Sequence, residues 1–432
     1  MASALDPHAA IVTTAAGVPT DGPLRTADGV PLIRALARSQ ARSRRRAFLL
    51  VVPLLLFVIV SFALPIGQML QRSFYNADFS DHMPRLAVWF DDNPRPAEPD
   101  DAAWTALAED IIEAAEAKTI ARAGTRLNYD MSGTRSLFTS TGRKADDLAP
   151  PYREALLAVD ERWGDPLLWS TMREASNPVT INFYLSALDL TRDDSGSIVQ
   201  VPEEQRIYRK LFLRTLAVAA AVTLTTFILG FPVAHLLATL PLRKSNLLMI
   251  LVLLPFWTSL LVRTTSWIVL LQQQGVLNDL LIWIGVISPD GRLTMMYNMT
   301  GTIVAMTHIL LPFMILPLYS VMRTINPSYV RAARSLGATS WTAFRRIYFP
   351  QTLPGLGAGA LLVFILAVGY YITPALVGGA SGQMIANMIA VHTTQTLNWS
   401  LAAALSAILL AIVLVLYWLY DRLIGIDNLK LG

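Results

Sequence analysis

Asn326–Pro350, NPSYVRAARSLGATSWTAFRRIYFP, is the stretch on which the reading of this chain turns. It is a polar interval between two long apolar runs, yet it carries the marks of ordered structure. Asn326-Pro327 is a helix start, because proline in the first turn has no N–H to leave unbonded. Tyr329, Ala332, Ala333 and Leu336 recur at helical spacing, and Gly337 is able to end the turn at positive φ. A second start follows at Thr339 or Ser340, with Trp341, Phe344, Ile347 and Tyr348 on one face and Pro350 as its stop. Arg331, Arg334, Arg345 and Arg346 occupy other positions of the pair. Two short amphipathic helices joined at a glycine, held at a membrane face, form a docking knob.

The rest of the chain explains why a membrane lies next to this knob. Of 432 residues 53% are hydrophobic and 15% charged, with a mean hydropathy of +0.45. A soluble domain averages roughly a quarter charged residues, so this is an integral membrane protein. Its basic pI of about 9.3 does not imply nucleic acid, because the arginines cluster beside apolar runs, where membrane topology accounts for them. No cysteine is present, which excludes disulfides, thiol catalysis and cysteine-based metal sites.

Residues 1–46 read as a disordered cytoplasmic tail that ends in Arg38, Arg42, Arg44, Arg45 and Arg46 and has no cleavable signal pattern. The apolar run 47–70 then satisfies the roughly 20 residues a bilayer core needs. Five more runs follow at about 211–240, 247–271, 300–322, 352–373 and 400–420. Alternating sides puts both termini in the cytoplasm. Arg243, Lys244, Arg323, the four knob arginines and Arg422 then all fall on the cytoplasmic side, as the positive-inside rule requires. Residues 71–210 hold most of the acids. They show helical patterning at 101–122, with Trp104, Leu107, Ile111 and Ile112 as apolar anchors, and again at 150–163. The expectation is an all-α membrane protein of six transmembrane helices, with a mostly helical extracytoplasmic insert between helices 1 and 2. That insert is either a packed cap or a docking surface for a soluble partner.

Several classes of chemistry have no residues to carry them. Lys118, Lys144 and Lys244 all lack the glycines of a GxxxxGK[ST] phosphate loop, so ATP is not bound by that route. There is no HExxH or GxSxG, and no catalytic or metal site is expected. His235, His308 and His392 lie in or beside apolar runs, where hydrogen-bonded packing is their expected role. The six runs contain no Asp or Glu, whereas ion-coupled carriers place ionisable groups inside the membrane. If the chain transports, its energy enters from outside, which returns attention to the knob.

Ala332, Ala333, Gly337, Ile347 and Pro350 stand at the spacing AA-xxx-G-nine residues-I-x-x-P. This resembles the EAA loop of permease subunits of bacterial ABC importers, EAA-x3-G-x9-I-x-LP, with Arg331 in place of the Glu and Phe349 in place of the Leu. LLPFWTSLLVRTTSWIVLL at 253–271, GVLNDLLIWIGVI at 275–287, ILLPFMILPLYSVM at 309–322 and GYYITPALVGG at 369–379 resemble the first permease subunit of spermidine/putrescine-type importers. The likeness covers roughly 205–420.

The resemblance implies a type I ABC importer permease fold, with a core at 211–422, in the bacterial inner membrane. It implies a coupling loop in which Ala332, Ala333, Gly337, Trp341, Phe344, Ile347 and Pro350 fit a groove of an ATP-binding cassette subunit, two copies of which serve the importer. ATP and Mg belong to those subunits and no cofactor to this chain. A second permease, by the same resemblance a different chain, and an extracytoplasmic substrate-binding protein complete the set of partners.

Aromatic and polar groups that break the apolar runs are the candidates for the translocation path: Trp257, Thr258, Arg263, Trp267, Tyr370, Tyr371 and Thr373. Aromatic faces suit a desolvated ammonium, while Arg263 repels cations. Interfacial placement or helix packing is the other reading of these aromatics. Gly355, Gly357 and Gly359 allow close helix contact. A polyamine-like substrate is expected, with an opine, amino acid derivative or aminophosphonate as the alternative. Two other classes stay open: a receptor sensing ligand through 71–210, and an ion-coupled carrier.

Overall fold

The computed structural model describes residues 32–93, 98–192 and 197–424, in two units, 1–68 and 69–432. The described part of the first unit is helical from Leu32 to Val58, continues through a π turn at Ile59–Ala63 and enters the helix that begins at Leu64. The expected tail therefore needs correction over 32–46, which is helical. Between Leu32 and Val52 the sequence holds no Gly or Pro and is rich in Leu, Ala and Arg, so the helix propagates beyond the apolar run. Residues 1–31 lie outside the described residues. The π turn ends two residues before Pro65, where it accommodates the hydrogen bond that proline cannot make.

The second unit contains an insert and a membrane domain. In the insert, helices Pro84–Asp92, Asp101–Glu116, Thr134–Gly142, Tyr152–Val159 and Pro166–Ser176 close over Phe79, Met83, Leu107, Phe138, Trp163 and Met172. Trp104 and Trp169 meet edge to face at 4.9 Å. The buried Asp110 ties two of these helices together, accepting from the Leu86 N–H at 2.9 Å and from Arg85 Nη1 at 3.0 Å. A short hairpin, Leu190–Arg192 paired antiparallel with Ile198–Gln200, precedes the second span.

The insert is bonded to the membrane domain. Phe183 and Ala187 pack with Leu211, Phe212, Ile385, Leu401 and Leu405, and Tyr129 Oη donates to the Leu397 carbonyl at 3.1 Å. Most tellingly, the Asp189 carboxylate accepts from the N–H groups of Ile207, Tyr208 and Arg209 at 3.1, 3.0 and 2.8 Å. Those are the N-cap and the first two donors of helix Tyr208–Thr239, so a residue of the insert caps a membrane span.

Helices Tyr208–Thr239, Met299–Thr324 and Ser340–Gly369 pack on one another around Val218, Val222, Leu310, Met314, Leu318 and Val363. Glycines set the approach. A Cβ at Gly355 would lie 2.9 Å from the Pro317 carbonyl oxygen, and one at Gly359 2.9 Å from Met314 Sδ, so packing explains both. Among the described residues five helices are long and apolar enough to span a bilayer, or six if one bent pair counts as a span.

That pair covers the expected helix at 247–271, which is broken into two. Leu242–Trp257 and Leu260–Leu271 meet at 97°, because a 3-10 turn at Leu254–Trp257 carries Pro255 and Thr258 is extended. The fifth run is also revised: its helix ends at Gly369, and Thr373 belongs to a separate short helix, Ile372–Val377. The intervals after 271 and 373 hold helices Val276–Trp283 and Ile385–Thr394.

Candidate functional site: the knob and the membrane path

The knob forms for the local reasons its sequence gives. Asn326 Oδ1 accepts from the Ser328 N–H at 2.9 Å, and Pro327 opens helix Pro327–Ser335. Gly337 has φ +90°, which a glycine adopts without the steric cost of a Cβ. The Ala338 N–H bonds back to the Ala333 carbonyl at 3.0 Å, closing the helix end. Thr339 Oγ1 then accepts from the Thr342 N–H at 3.2 Å and starts the next helix.

Pro350 does not end that helix, contrary to expectation. It lies inside a continuous helix running from Ser340 to Gly369. A π turn at Phe344–Tyr348 ends two residues before it, the same offset as at Pro65, and accommodates the missing N–H. The second helix of the knob and the fifth span are thus one rod.

The rod is rooted in the bundle by aromatic contacts. Phe344 stacks on Trp341 at 5.7 Å and on Tyr348 at 5.9 Å, and meets Phe231 edge-on at 6.1 Å. His235 Nδ1 lies 3.0 Å from Tyr348 Oη. Ala343 is buried, and Ala333 and Ile347 are half-buried. Trp341, by contrast, is 67% exposed and Leu336 89%; Ala332, Gly337 and Pro350 also face outward. A groove of about 640 Å3 runs beneath, lined by His235, Met322, Arg323, Val330, Arg331 and Phe344. Reading the knob alone missed Phe231 and His235 as its receptors. The signal was present in Phe227, Phe231 and His235, which recur every fourth residue on one face of their helix.

The path candidates are only partly assembled. Trp267 Nε1 donates to His308 Nδ1 at 3.1 Å, with the rings 5.3 Å apart. Thr264 and Thr373 hydroxyls are 3.3 Å apart and buried. Arg263 is half-buried, and its Nε has no hydrogen-bond partner among the described residues. Trp257 is 82% exposed at the bend, where Thr258 Oγ1 donates to the Pro255 carbonyl. Tyr371 is 47% exposed, and its carbonyl accepts from Asn387 Nδ2 at 2.8 Å. His308, Thr264 and Asn387 were not among the expected path residues.

Residues 220–425 match the family described as "Binding-protein-dependent transport system inner membrane component". The chain is 36% identical over 246 residues to the "Spermidine/putrescine transport system permease protein PotB" of Salmonella typhimurium, covering 55% of this chain and 85% of that one. The Escherichia coli protein of the same name is also 36% identical over 246 residues, with 89% of it covered. The "Inner membrane ABC transporter permease protein YdcU" of Escherichia coli is 32% identical over 225 residues, covering 50% and 71%. Among solved structures, a chain of "bacterial alginate ABC transporter in complex with alginate pentasaccharide-bound periplasmic protein" aligns with a TM-score of 0.45 at 19% identity, covering 52% and 81%.

The chain belongs to this family: it is a multi-pass inner-membrane permease subunit of an ABC importer, which works with an ATPase and a substrate-binding protein.

Proposed function

We propose that this permease imports a polyamine-like cation and that its knob, residues 326–350, docks into a groove of an ATP-binding subunit on the cytoplasmic side, two copies of that subunit serving the whole importer. A second permease of different sequence completes the path. ATP and Mg reside on the partner, and this chain performs no catalysis. Both termini are cytoplasmic, and the insert is extracytoplasmic, beside the docking place of the binding protein.

One observation carries most of this reading. Asp189 of the insert caps the first turn of helix Tyr208–Thr239, while His235, near its last turn, meets Tyr348 at the root of the knob. The insert and the knob therefore lie at opposite ends of one span, roughly 40 Å apart at 1.5 Å per residue. Arg243, Lys244, Arg323 and the knob arginines gather at the second end, which favours it as cytoplasmic. The polyamine assignment is supported by the names of the relatives and by aromatic groups near the bend and the Trp267–His308 pair.

Two experiments test it. Gly337→Asp and Ala333→Asp should abolish ATP-dependent uptake of labelled spermidine while the chain stays in the membrane; wild-type uptake in both would end the coupling reading. The chain has no cysteine, so single cysteines can be placed freely. Leu336→Cys should react with an impermeant maleimide only from the cytoplasmic side, and Glu116→Cys in the insert only from outside. The opposite pattern would reverse the topology.

A further inference from the structure

The knob displays a charge that no acid among the described residues answers. Arg331, Arg334, Arg345 and Arg346 are all exposed, and none makes an ion pair or side-chain hydrogen bond among the described residues. No acid is within reach in sequence either, because the chain has no Asp or Glu between Asp290 and Asp421. Two arginines precede and two follow a pair of exposed apolar groups in the sequence, Leu336 and Trp341, at 89% and 67%.

The pattern does not fit a helix pair resting on anionic lipid. Such a pair has one apolar face, which it gives to the membrane. Here that face is already spent on protein: Ala343 is buried, and Val330 and Phe344 pack on the bundle core. Leu336 and Trp341 are a second apolar set, next to a glycine around which a Cβ would meet no atom within 4 Å. Exposed apolar groups on a knob whose charged residues are all positive fit a protein groove that is apolar inside and acidic at its edge.

We infer that the ATP-binding partner of this chain carries carboxylates at the rim of its docking groove, facing Arg331 and Arg334, and that this charge selects the partner. The inference rests on the coupling role proposed above for the knob. Leu336 and Trp341 supply buried apolar area. The arginines steer the encounter and reject subunits with a basic rim, since like charges brought together are repelled. Arg331 stands where the loops it resembles have Glu, so a subunit built for those loops meets this knob with the wrong sign.

The test uses the importer reconstituted in nanodiscs of phosphatidylcholine alone, with its own ATP-binding subunit titrated back after stripping. Wild-type affinity should fall with NaCl, and Arg331→Glu should weaken binding about tenfold and flatten the salt dependence. Arg331→Lys should bind nearly as wild type. If Arg331→Glu combined with Arg334→Glu binds as tightly as wild type, the inference is overturned. It is equally overturned if the loss appears only when phosphatidylglycerol is present, which would make lipid the occupant. Gly337→Asp separates the two layers of argument. If it too binds normally, the coupling reading has failed; if it alone loses the subunit, only the charge inference has.

Discussion

The glycine at the joint of the knob allows a graded test of the turn. Gly337 holds φ +90°, and a Cβ built there meets nothing within 4 Å. Substitution is therefore costly only through the backbone, with no steric contribution from neighbours. For an L residue with a Cβ the left-handed region costs about 1–2 kcal/mol, which shifts the turn equilibrium by a factor of roughly 5–30. Asn enters this region more easily than Ala, and a β-branched residue less easily. Spermidine uptake, normalised to the amount of permease in the membrane, should follow Gly337 (wild type) > Gly337→Asn > Gly337→Ala > Gly337→Val. The Ala variant should lose several-fold and the Val variant most of the signal. Should Gly337→Ala transport normally while Gly337→Asn fails, side-chain size at the docking face decides the outcome and the argument from φ is wrong.

Other substitutions address the supports of the knob and the insert. Gly355→Ala pushes a methyl against the Pro317 carbonyl and Val321, each 2.9 Å from the built Cβ, and should cost about 1–3 kcal/mol. Gly369→Ala meets nothing, so equal melting temperatures for the two in detergent would contradict the close approach. Asp189→Ala removes the acceptor of three N–H groups at the start of a span. A loss of about 1–2 kcal/mol is expected, and an unchanged melting temperature would show the cap to be idle. Tyr348→Phe keeps the stack on Phe344 but breaks the contact with His235, worth about 1 kcal/mol. Its uptake should fall less than that of Gly337→Val, and a complete loss would assign the hydroxyl a role beyond packing.

What the sequence determined by itself was local or compositional. Bilayer-length apolar runs cannot hide, because each must satisfy its own backbone in lipid, and the helices at 208–239, 299–324 and 399–424 match their runs within a few residues. The knob was equally legible, since Asn326, Pro327, Gly337 and Thr339 act through bonds to residues two to five positions away. Tertiary structure decided what depends on partners distant in the chain. Pro350 looked like a stop, but a π turn lets the helix run on. The run at 247–271 looked like one span, but the break around Pro255 and Thr258 folds it to 97°. Asp189 was one acid among many until its carboxylate met the first turn of the second span, and His235 was a lone histidine until Tyr348 faced it. The knob's shape is thus written in contiguous residues, whereas its hold on the membrane domain comes from side chains more than a hundred residues apart, whose pairing only packing brings about.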